Sequence, residues 1–384
     1  MKIVVSSTAL AVAVKNLCRV INAKNALPIL GDILCDVNEQ DKSITLTASD
    51  SETWLHQTLA LLEAEGGGKF CVDATRLMEA VGELTEQPVT ILATTESDCT
   101  FRLQHSTGEA YFPLELADEY PTPEEPLDTD TLWLNVRQVT EALNATQWAT
   151  ANDDLRPVMT GVYFNFTDTH ADITASDGHV LMRYRIHEDC EQTGSFIMPK
   201  KVAKLLPAML ATEDRDDEVQ MVWTERTAQV EGTLWTLTFR LIEGRYPNYE
   251  SVIPKDQPYR ADLTRGSLVS AVRKVSPFAN DSSQLLRLTF EREQLTLTGE
   301  DYDSSAGATD RIYSDSNVTD PLTIGLKASS LAAMLQKLPY GELRLNLRDP
   351  KYAVTLEEKP EEGKESKTQG TILGLLMPML VQND

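Results

Sequence analysis

Thr174-Ala175-Ser176-Asp177-Gly178-His179-Val180-Leu181 places an acid, a glycine and a histidine in succession at the end of an alternating run. Alone it reads as a small catalytic turn. Set beside the rest of the chain it is one of three copies. Thr47-Ala48-Ser49-Asp50 closes Ser43-Ile44-Thr45-Leu46, and Thr298-Gly299-Glu300-Asp301 closes Leu295-Thr296-Leu297 in the same way. The aspartates lie 127 and then 124 residues apart in a chain of 384, a period that predicts three similar domains. An aspartate at a strand end bonds the backbone of its own turn, and a following glycine supplies positive φ.

Short alternating or β-branched runs at 44–46, 89–92, 161–166, 219–222, 237–240, 285–290 and 343–347 predict strands. Six segments predict helices. Their first core positions, Leu10, Leu77, Val139, Val202, Leu268 and Leu331, each have an apolar partner four residues on. Successive starts are separated by 67, 62, 63, 66 and 63 residues, so each domain is itself a doublet of one helix plus several strands. The fold class is α+β: three similar domains, each a pseudo-two-fold pair of helix-plus-strands units.

The joints repeat as well. Tyr111-Phe112-Pro113-Leu114 leads to Tyr120-Pro121, and Phe239-Arg240-Leu241 leads to Tyr246-Pro247, 126 residues later. Acidic, proline-containing linkers follow at 121–126 and 247–258, which sets the domains at 1–124, 125–252 and 253–384. Glu65-Gly66-Gly67-Gly68-Lys69 and residues 359–367 read as hairpin tips, and Pro207 is expected to shorten or kink the fourth helix.

The net charge of −24 argues at face value against nucleic acid, but the charge is segregated. The helical segments 7–24, 73–84, 134–150, 199–211, 264–280 and 327–340 hold 13 of the 35 Lys/Arg and 4 of the 59 Asp/Glu. On the first, Leu10, Val14, Leu17 and Ile21 form a stripe opposite Lys15 and Arg19. The fifth sets Leu268, Val272 and Val275 against Arg273 and Lys274. Glu79 and Glu83 weaken the pattern on the second. A curved array of sheets with its helices on one face can close on itself, which also removes sheet edges. Basic helices would then line the hole and hold phosphates without reading bases.

Five scattered cysteines, Cys18, Cys35, Cys71, Cys99 and Cys190, have no metal or redox spacing and read as buried thiols of a reducing cytoplasm. No apolar run reaches membrane-span length, and no small-residue cleavage site precedes Lys15 and Arg19. A catalytic or metal role for Asp177 and His179 is disfavoured, because only one of the three copies carries a histidine. The other histidines, His56, His105, His170 and His187, form no ligand pair. Gly66-Gly67-Gly68-Lys69 lacks the spacing of a phosphate-binding loop, so neither a nucleotide, a metal nor any other cofactor is expected. A repeat-built scaffold that never encircles DNA is the remaining rival.

Four further motifs carry a family resemblance: Leu27-Pro28-Ile29-Leu30, Ala175-Ser176-Asp177-Gly178-His179, Gly244-Arg245-Tyr246-Pro247-Asn248-Tyr249 with Pro254, and Met377-Pro378-Met379. In this order on a six-unit repeat, they make the chain resemble the bacterial sliding clamps, the β subunits of DNA polymerase III, over essentially its full length. The resemblance implies a non-catalytic, cytoplasmic, head-to-tail homodimer that encircles double-stranded DNA irrespective of sequence. It also implies a clamp loader that opens the ring, and partners such as the polymerase III alpha subunit that bind through short linear motifs. It places a peptide cleft between the second and third domains at Met159, Ser176, Gly178, His179, Leu181, Pro247, Val252, Leu375, Leu376, Met377, Pro378 and Met379. Lys24, Lys201 and Arg156 fall at basic channel positions of the family. The charge pattern adds Lys15, Arg19, Arg137, Lys200, Lys204, Arg273 and Lys274. Phe112, on the strand 111–114, and Phe278, just past Pro277, are the expected apolar plugs of the subunit interface. The sequence departs from the family's usual basic residues at Val180, near Val252 at Ser251, and in the tail Leu380-Val381-Gln382-Asn383-Asp384. Three lost positive charges predict a cleft more dependent on apolar contacts.

Overall fold

The computed structural model describes residues 1–25, 27–95, 99–123, 130–153, 155–188, 192–339, 341–359 and 370–381. Cys190, the first linker from 124 on, the stretch 360–367 and the last three residues of the tail therefore lie outside the described residues, wholly or in part.

Six α-helices occur among the described residues, one at each predicted segment: α1 Ser7–Leu17, α2 Ala74–Val81, α3 Val136–Thr146, α4 Lys200–Leu210, α5 Arg265–Val275 and α6 Ala328–Lys337. Their starts have local causes. Ser6 Oγ accepts from the Ala9 amide at 3.2 Å, Asp73 Oδ1 from Arg76 at 2.7 Å and Thr264 Oγ1 from Ser267 at 3.4 Å, each satisfying an otherwise orphaned first-turn donor. α1 is shorter than its periodicity suggests. The chain tightens after Leu17 into i→i+3 bonds, Arg19 N to Asn16 O at 3.1 Å and Val20 N to Leu17 O at 2.9 Å. The next core position is therefore Val20, fully buried, instead of Ile21, and Arg19 lies beyond the helix. Nor does Pro207 end α4, which continues one turn further on the buried Met209 and Leu210.

Every strand pairing among the described residues is antiparallel, and the chain forms two compact units, Met1–Val139 with Lys201–Leu241 and Thr140–Lys200 with Ile242–Asp384. The first is built on a thirteen-stranded sheet. Its two halves meet where Trp235–Arg240 pairs with Thr53–Ala60, Leu237 opposite Leu55, both fully buried. α1 lies against α2 and over this sheet, burying Leu10, Val14, Leu17, Leu77 and Val81. Gly66–Gly68 is not a hairpin tip. Glu63–Glu65 pairs with Lys2–Ser6, whereas Gly68–Asp73 pairs with Asp32–Asn38, so the glycines form a crossing between two strands that are not neighbours in the sheet, with φ of 83° at Gly66 and 144° at Gly68.

The second unit holds a nine-stranded and a four-stranded sheet. In the first of these Val180–Ile186 pairs with Thr371–Leu376, joining Ala171–Ser176 on one side to Val354–Glu358 on the other. α5 and α6 pack together over the four-stranded sheet and bury Leu268, Val272, Leu331 and Leu335. After Leu376 the chain crosses to that sheet, where the Met379 amide donates to Gly325 O at 2.8 Å. A Cβ at Gly325 would stand 2.7 Å from Met379 O, so the crossing requires glycine there.

The repeated turn is the same device each time. Asp50 Oδ1 accepts from Glu52 and Thr53 at 3.0 and 2.7 Å, Asp177 Oδ1 from His179 and Val180 at 2.8 and 2.7 Å, and Asp301 Oδ1 from Asp303 at 3.3 Å. Ser51 and Gly178 occupy the same place with φ of 76° and 90°. Cys35 and Cys71 are buried and Cys18 and Cys99 partly so, all as free thiols. Burial first, then neighbouring acidic groups including Asp32, pushes the Cys71 thiol up to about 12. Among the described residues no helix is long and apolar enough to cross a membrane.

Candidate functional site

The turn that opens the sequence argument forms one wall of a cavity of about 200 Å³ in the second unit. Two adjacent strands supply its floor. Leu181 and Leu375 are directly paired across the strands Val180–Ile186 and Thr371–Leu376, and are 1% and 2% exposed. Directly paired residues share a face, so both side chains lie on one side of the sheet. The turn Ser176–Val180 forms a side wall. Its Ser176 hydroxyl donates to Val180 O at 2.7 Å and accepts from the Gly178 amide at 3.1 Å. Met377 is fixed beside it by a bond from its amide to His179 O at 2.9 Å. The opposite wall is the segment 246–252. Tyr246 stacks on Tyr163 at 4.7 Å and 3°, Tyr249 meets Tyr163 edge-on at 6.0 Å, and Val252 remains 53% exposed.

Nine of the twelve residues assigned to a cleft from the sequence line this cavity: Met159, Ser176, Gly178, His179, Leu181, Pro247, Val252, Leu375 and Met377. Leu376, Pro378 and Met379 do not. Leu376 follows Leu375 on a strand and so faces the other side, where it is 2% exposed opposite Val180. Met379 is committed to its bridge with Gly325. Tyr246, Asn248, Tyr249 and Val180 line the cavity in addition. The first three stand in the motif Gly244–Tyr249, where two tyrosines flank Pro247-Asn248, and that cluster is the signal the sequence offers.

Arg156, on the loop after the third helix, has its Nη1 3.8 Å from Met159 Sδ and 2.8 Å from where a Cβ at Gly178 would stand, which puts the guanidinium against the cavity wall. Its charge is matched by Asp153, with Nη2 to Oδ2 at 2.7 Å and Nε to Oδ2 at 3.2 Å, which holds that carboxyl below its ordinary range. Val180, read as a lost rim charge, is buried at 3%.

Behind the tyrosine wall lies a buried ionic group. Asp172, fully buried, takes Arg185 Nε on Oδ1 at 2.7 Å and Arg185 Nη2 on Oδ2 at 2.6 Å. Tyr249 Oη also donates to Oδ2, at 2.7 Å. Burial pushes this carboxyl up, but the Arg185 and Tyr249 hydrogen bonds and the charges of Arg185 and Arg183 outweigh it and hold it below the usual range. Arg185 is raised chiefly by the Asp172 bond. Tyr249 is raised by burial first and then by the same carboxylate.

No group of three or more His, Cys, Asp or Glu that could hold a metal occurs among the described residues, and Asp177 Oδ1 is occupied by two turn amides.

The helical cations divide. Lys15, Lys204 and Arg273 are exposed on α1, α4 and α5, and Arg19 and Lys24 are exposed beyond the end of α1. Arg137 is half-buried on α3. Lys200 bonds Asn152 Oδ1 at 2.7 Å, and Lys274 pairs with Asp310 at 2.9 Å. Lys201 departs from its assigned role. An ammonium has three N–H donors, and those of Lys201 meet Asp50 Oδ2, Val20 O and, at 2.8 Å, Asn22 Oδ1, so it serves within the chain. Of the two expected plugs, Phe278 is 42% exposed, in the 3-10 turn after α5. Phe112 is 8% exposed and stacks on Phe101 at 4.9 Å, which makes it core. Its neighbour Tyr111, on the opposite side of the strand, is 69% exposed.

Family models for the N-terminal, central and C-terminal domains of the DNA polymerase III beta subunit match residues 1–122, 133–248 and 250–369. The chain belongs to the DNA polymerase III beta subunit family. It is 24% identical over 340 residues to a beta sliding clamp of Haemophilus influenzae, a match spanning 87% of this chain and 90% of that protein. It is 26% identical over 310 residues to one of Chlamydia muridarum, spanning 78% and 80%. A sliding clamp structure from Pseudomonas aeruginosa superposes with a TM-score of 0.89 at 21% identity, covering 99% of this chain and all of that one. A beta subunit structure from Thermotoga maritima gives 0.89 at 18% identity with the same coverage. The fold is thus the three-domain sliding clamp fold of this family.

Proposed function

We propose that two copies of this chain close head to tail into a ring around duplex DNA and tether the replicative polymerase without catalysing a reaction. The observation that carries this reading is the segregation of charge. On a chain of net charge −24, the helical segments hold 13 basic and 4 acidic residues. A basic lining holds a polyanion by counterion release and gives no sequence preference, so the ring can slide. An acidic exterior disfavours DNA anywhere else. On this reading the cations that meet phosphates are Lys15, Arg19, Lys24, Lys204 and Arg273, assisted by Arg137, Lys200 and Lys274, and the domains run 1–124, 125–252 and 253–384.

The cavity beside the turn 176–180 supports the second half of the proposal. Apolar floor, aromatic wall and a flexible thioether at Met377 suit a short peptide carrying two or three hydrophobic side chains, and methionine repacks around varied ligands. It would receive the linear motifs of the polymerase III alpha subunit, the clamp loader and other clamp-binding proteins in the cytoplasm. Subunit contact would fall on two sheet regions: the strand Gly108–Glu115 with its exposed Tyr111, and the unpaired edge Ala306–Tyr313 near Phe278. The native mass tests the ring. A particle of twice 42.7 kDa supports it, and a strict monomer that stays monomeric on loader-treated DNA contradicts it.

A further inference from the structure

The wall 246–252 is irregular chain with one short 3-10 turn, Tyr249–Val252, yet it must stand in one place for the cavity to keep its shape. Backbone pairing does not supply the restraint, since no strand covers these residues. Two features of the sheet beneath do. Asp172 and Arg185 are directly opposed in register on Ala171–Ser176 and Val180–Ile186, and four residues along the same two strands are Ser176 and Leu181, the opposed pair in the cavity. Both pairs lie on one face, so a single pair of strands carries an ionic anchor at one end and the cavity floor at the other.

We infer that Asp172 and Arg185 are positioning residues for the peptide cavity, gripping the wall through Tyr249 and Glu250. The grip has two points. Tyr249 Oη donates to Asp172 Oδ2 at 2.7 Å, and Arg185 Nη2, already bound to Asp172, reaches Glu250 Oε1 at 3.0 Å. Tyr249 is 8% exposed and its ring lines the cavity, so the bond fixes the angle at which that ring meets Tyr163 and, through it, Tyr246. Bonds to a buried charge are short and directional, which suits positioning better than adhesion. The carboxylate is fully buried and does not line the cavity. Its short hydrogen bonds go to Arg185 and Tyr249, with His170 Nε2 further off at 3.8 Å from Oδ2.

This inference rests on the cavity's being a peptide site, and the experiment separates the two. Tyr249→Phe removes one hydroxyl and leaves the ring. Asp172→Leu combined with Arg185→Met removes both charges of the anchor pair, and a thermal melt checks that the fold survives, because the partly buried Arg183 loses its neighbouring carboxylate. Amide hydrogen exchange across residues 246–253 and the affinity of a fluorescent clamp-motif peptide are measured for both variants and the parent chain. Exchange is expected to quicken about tenfold in that segment alone, with peptide affinity about tenfold weaker through a faster off-rate. Asp172→Glu with Tyr249 retained is expected to recover part of the affinity. Unchanged exchange in both variants overturns the anchor. Quickened exchange with affinity within twofold overturns its link to the site. A parent chain that binds no clamp-motif peptide overturns the cavity reading itself, and exchange then decides the anchor alone.

Discussion

Val252 offers the sharpest test of the cavity. It stands on the wall at 53% exposure, in a turn whose backbone does not depend on its side chain, so a ligand seated in the cavity would cover roughly the half now open to solvent. Full burial of such a side chain is worth about 1.5–3 kcal/mol, so covering half of it contributes about 1 kcal/mol. Val252→Ala forfeits most of that and should weaken a clamp-motif peptide about fivefold. Val252→Asp also buries a carboxylate without a partner and should weaken it about a hundredfold. Both changes are at an exposed site and should leave unfolding free energy within about 0.5 kcal/mol. Fluorescence anisotropy with a labelled peptide from the polymerase alpha subunit, alongside thermal melts, reads both quantities. Equal affinity for parent, Ala and Asp chains, all folded, would refute the assignment of this wall. In the same titration, raising salt from 50 to 300 mM should change the dissociation constant less than about threefold, because the cation at the wall, Arg156, is already paired with Asp153. A steep loss would show that charge dominates there.

Three other outcomes follow from particular residues. Asp32 is raised to about 6, first by burial and then by Glu115 and Asp73. The folded chain therefore holds a proton that the unfolded chain releases near pH 4, and stability rises as pH falls from about 6 to 4. Asp32→Asn should stabilise by about 1 kcal/mol at pH 7.5, after discounting for partial exposure, and by nothing at pH 4; equal melting shifts at both pH values would contradict the cause. Lys201→Met should destabilise by about 1–3 kcal/mol by stranding the largely buried Asp50. Lys204→Met should leave stability unchanged and lower the salt slope of DNA binding, and identical behaviour of the two would remove the distinction drawn between them. Gly178→Ala forces a φ of 90° on a side chain whose Cβ meets Arg156 at 2.8 Å. It should cost about 1–2 kcal/mol of stability and weaken peptide binding, measured by melting and anisotropy together.

Much of the fold was legible because its signals are local and repeated. The Asp50, Asp177 and Asp301 turns depend on one side chain bonding amides two or three residues ahead, and the six helices on apolar residues four apart. What escaped depends on register or on partners distant in sequence. Leu375 and Leu376 are equally apolar, and only the pairing of their strand with Val180–Ile186 decides which one faces the cavity. Ile21 lost its core place to Val20 through a tightening of one residue that no hydrophobic period records. Arg156 and Lys201 are basic residues whose places are set by Asp153 and Asp50, and a count of charges does not distinguish them from Lys204. Phe112 is an expected plug only through the family resemblance of the strand 111–114, and its burial and stacking on Phe101 depend on a partner strand that the local sequence does not reveal. The Asp172 anchor left no pattern at all, since Asp172, Arg185 and Tyr249 are brought together by strand pairing and an overlying loop.

The central claim is topological, and retention on DNA of different topology tests it most directly. The labelled chain is assembled by its clamp loader on a nicked circular plasmid, separated from free protein by gel filtration, and the plasmid is then cut once. A ring held only by encirclement stays with the circle at high salt and is lost when the ends are opened. Equal retention on circular and linear DNA would contradict encirclement and leave a surface-binding protein in its place.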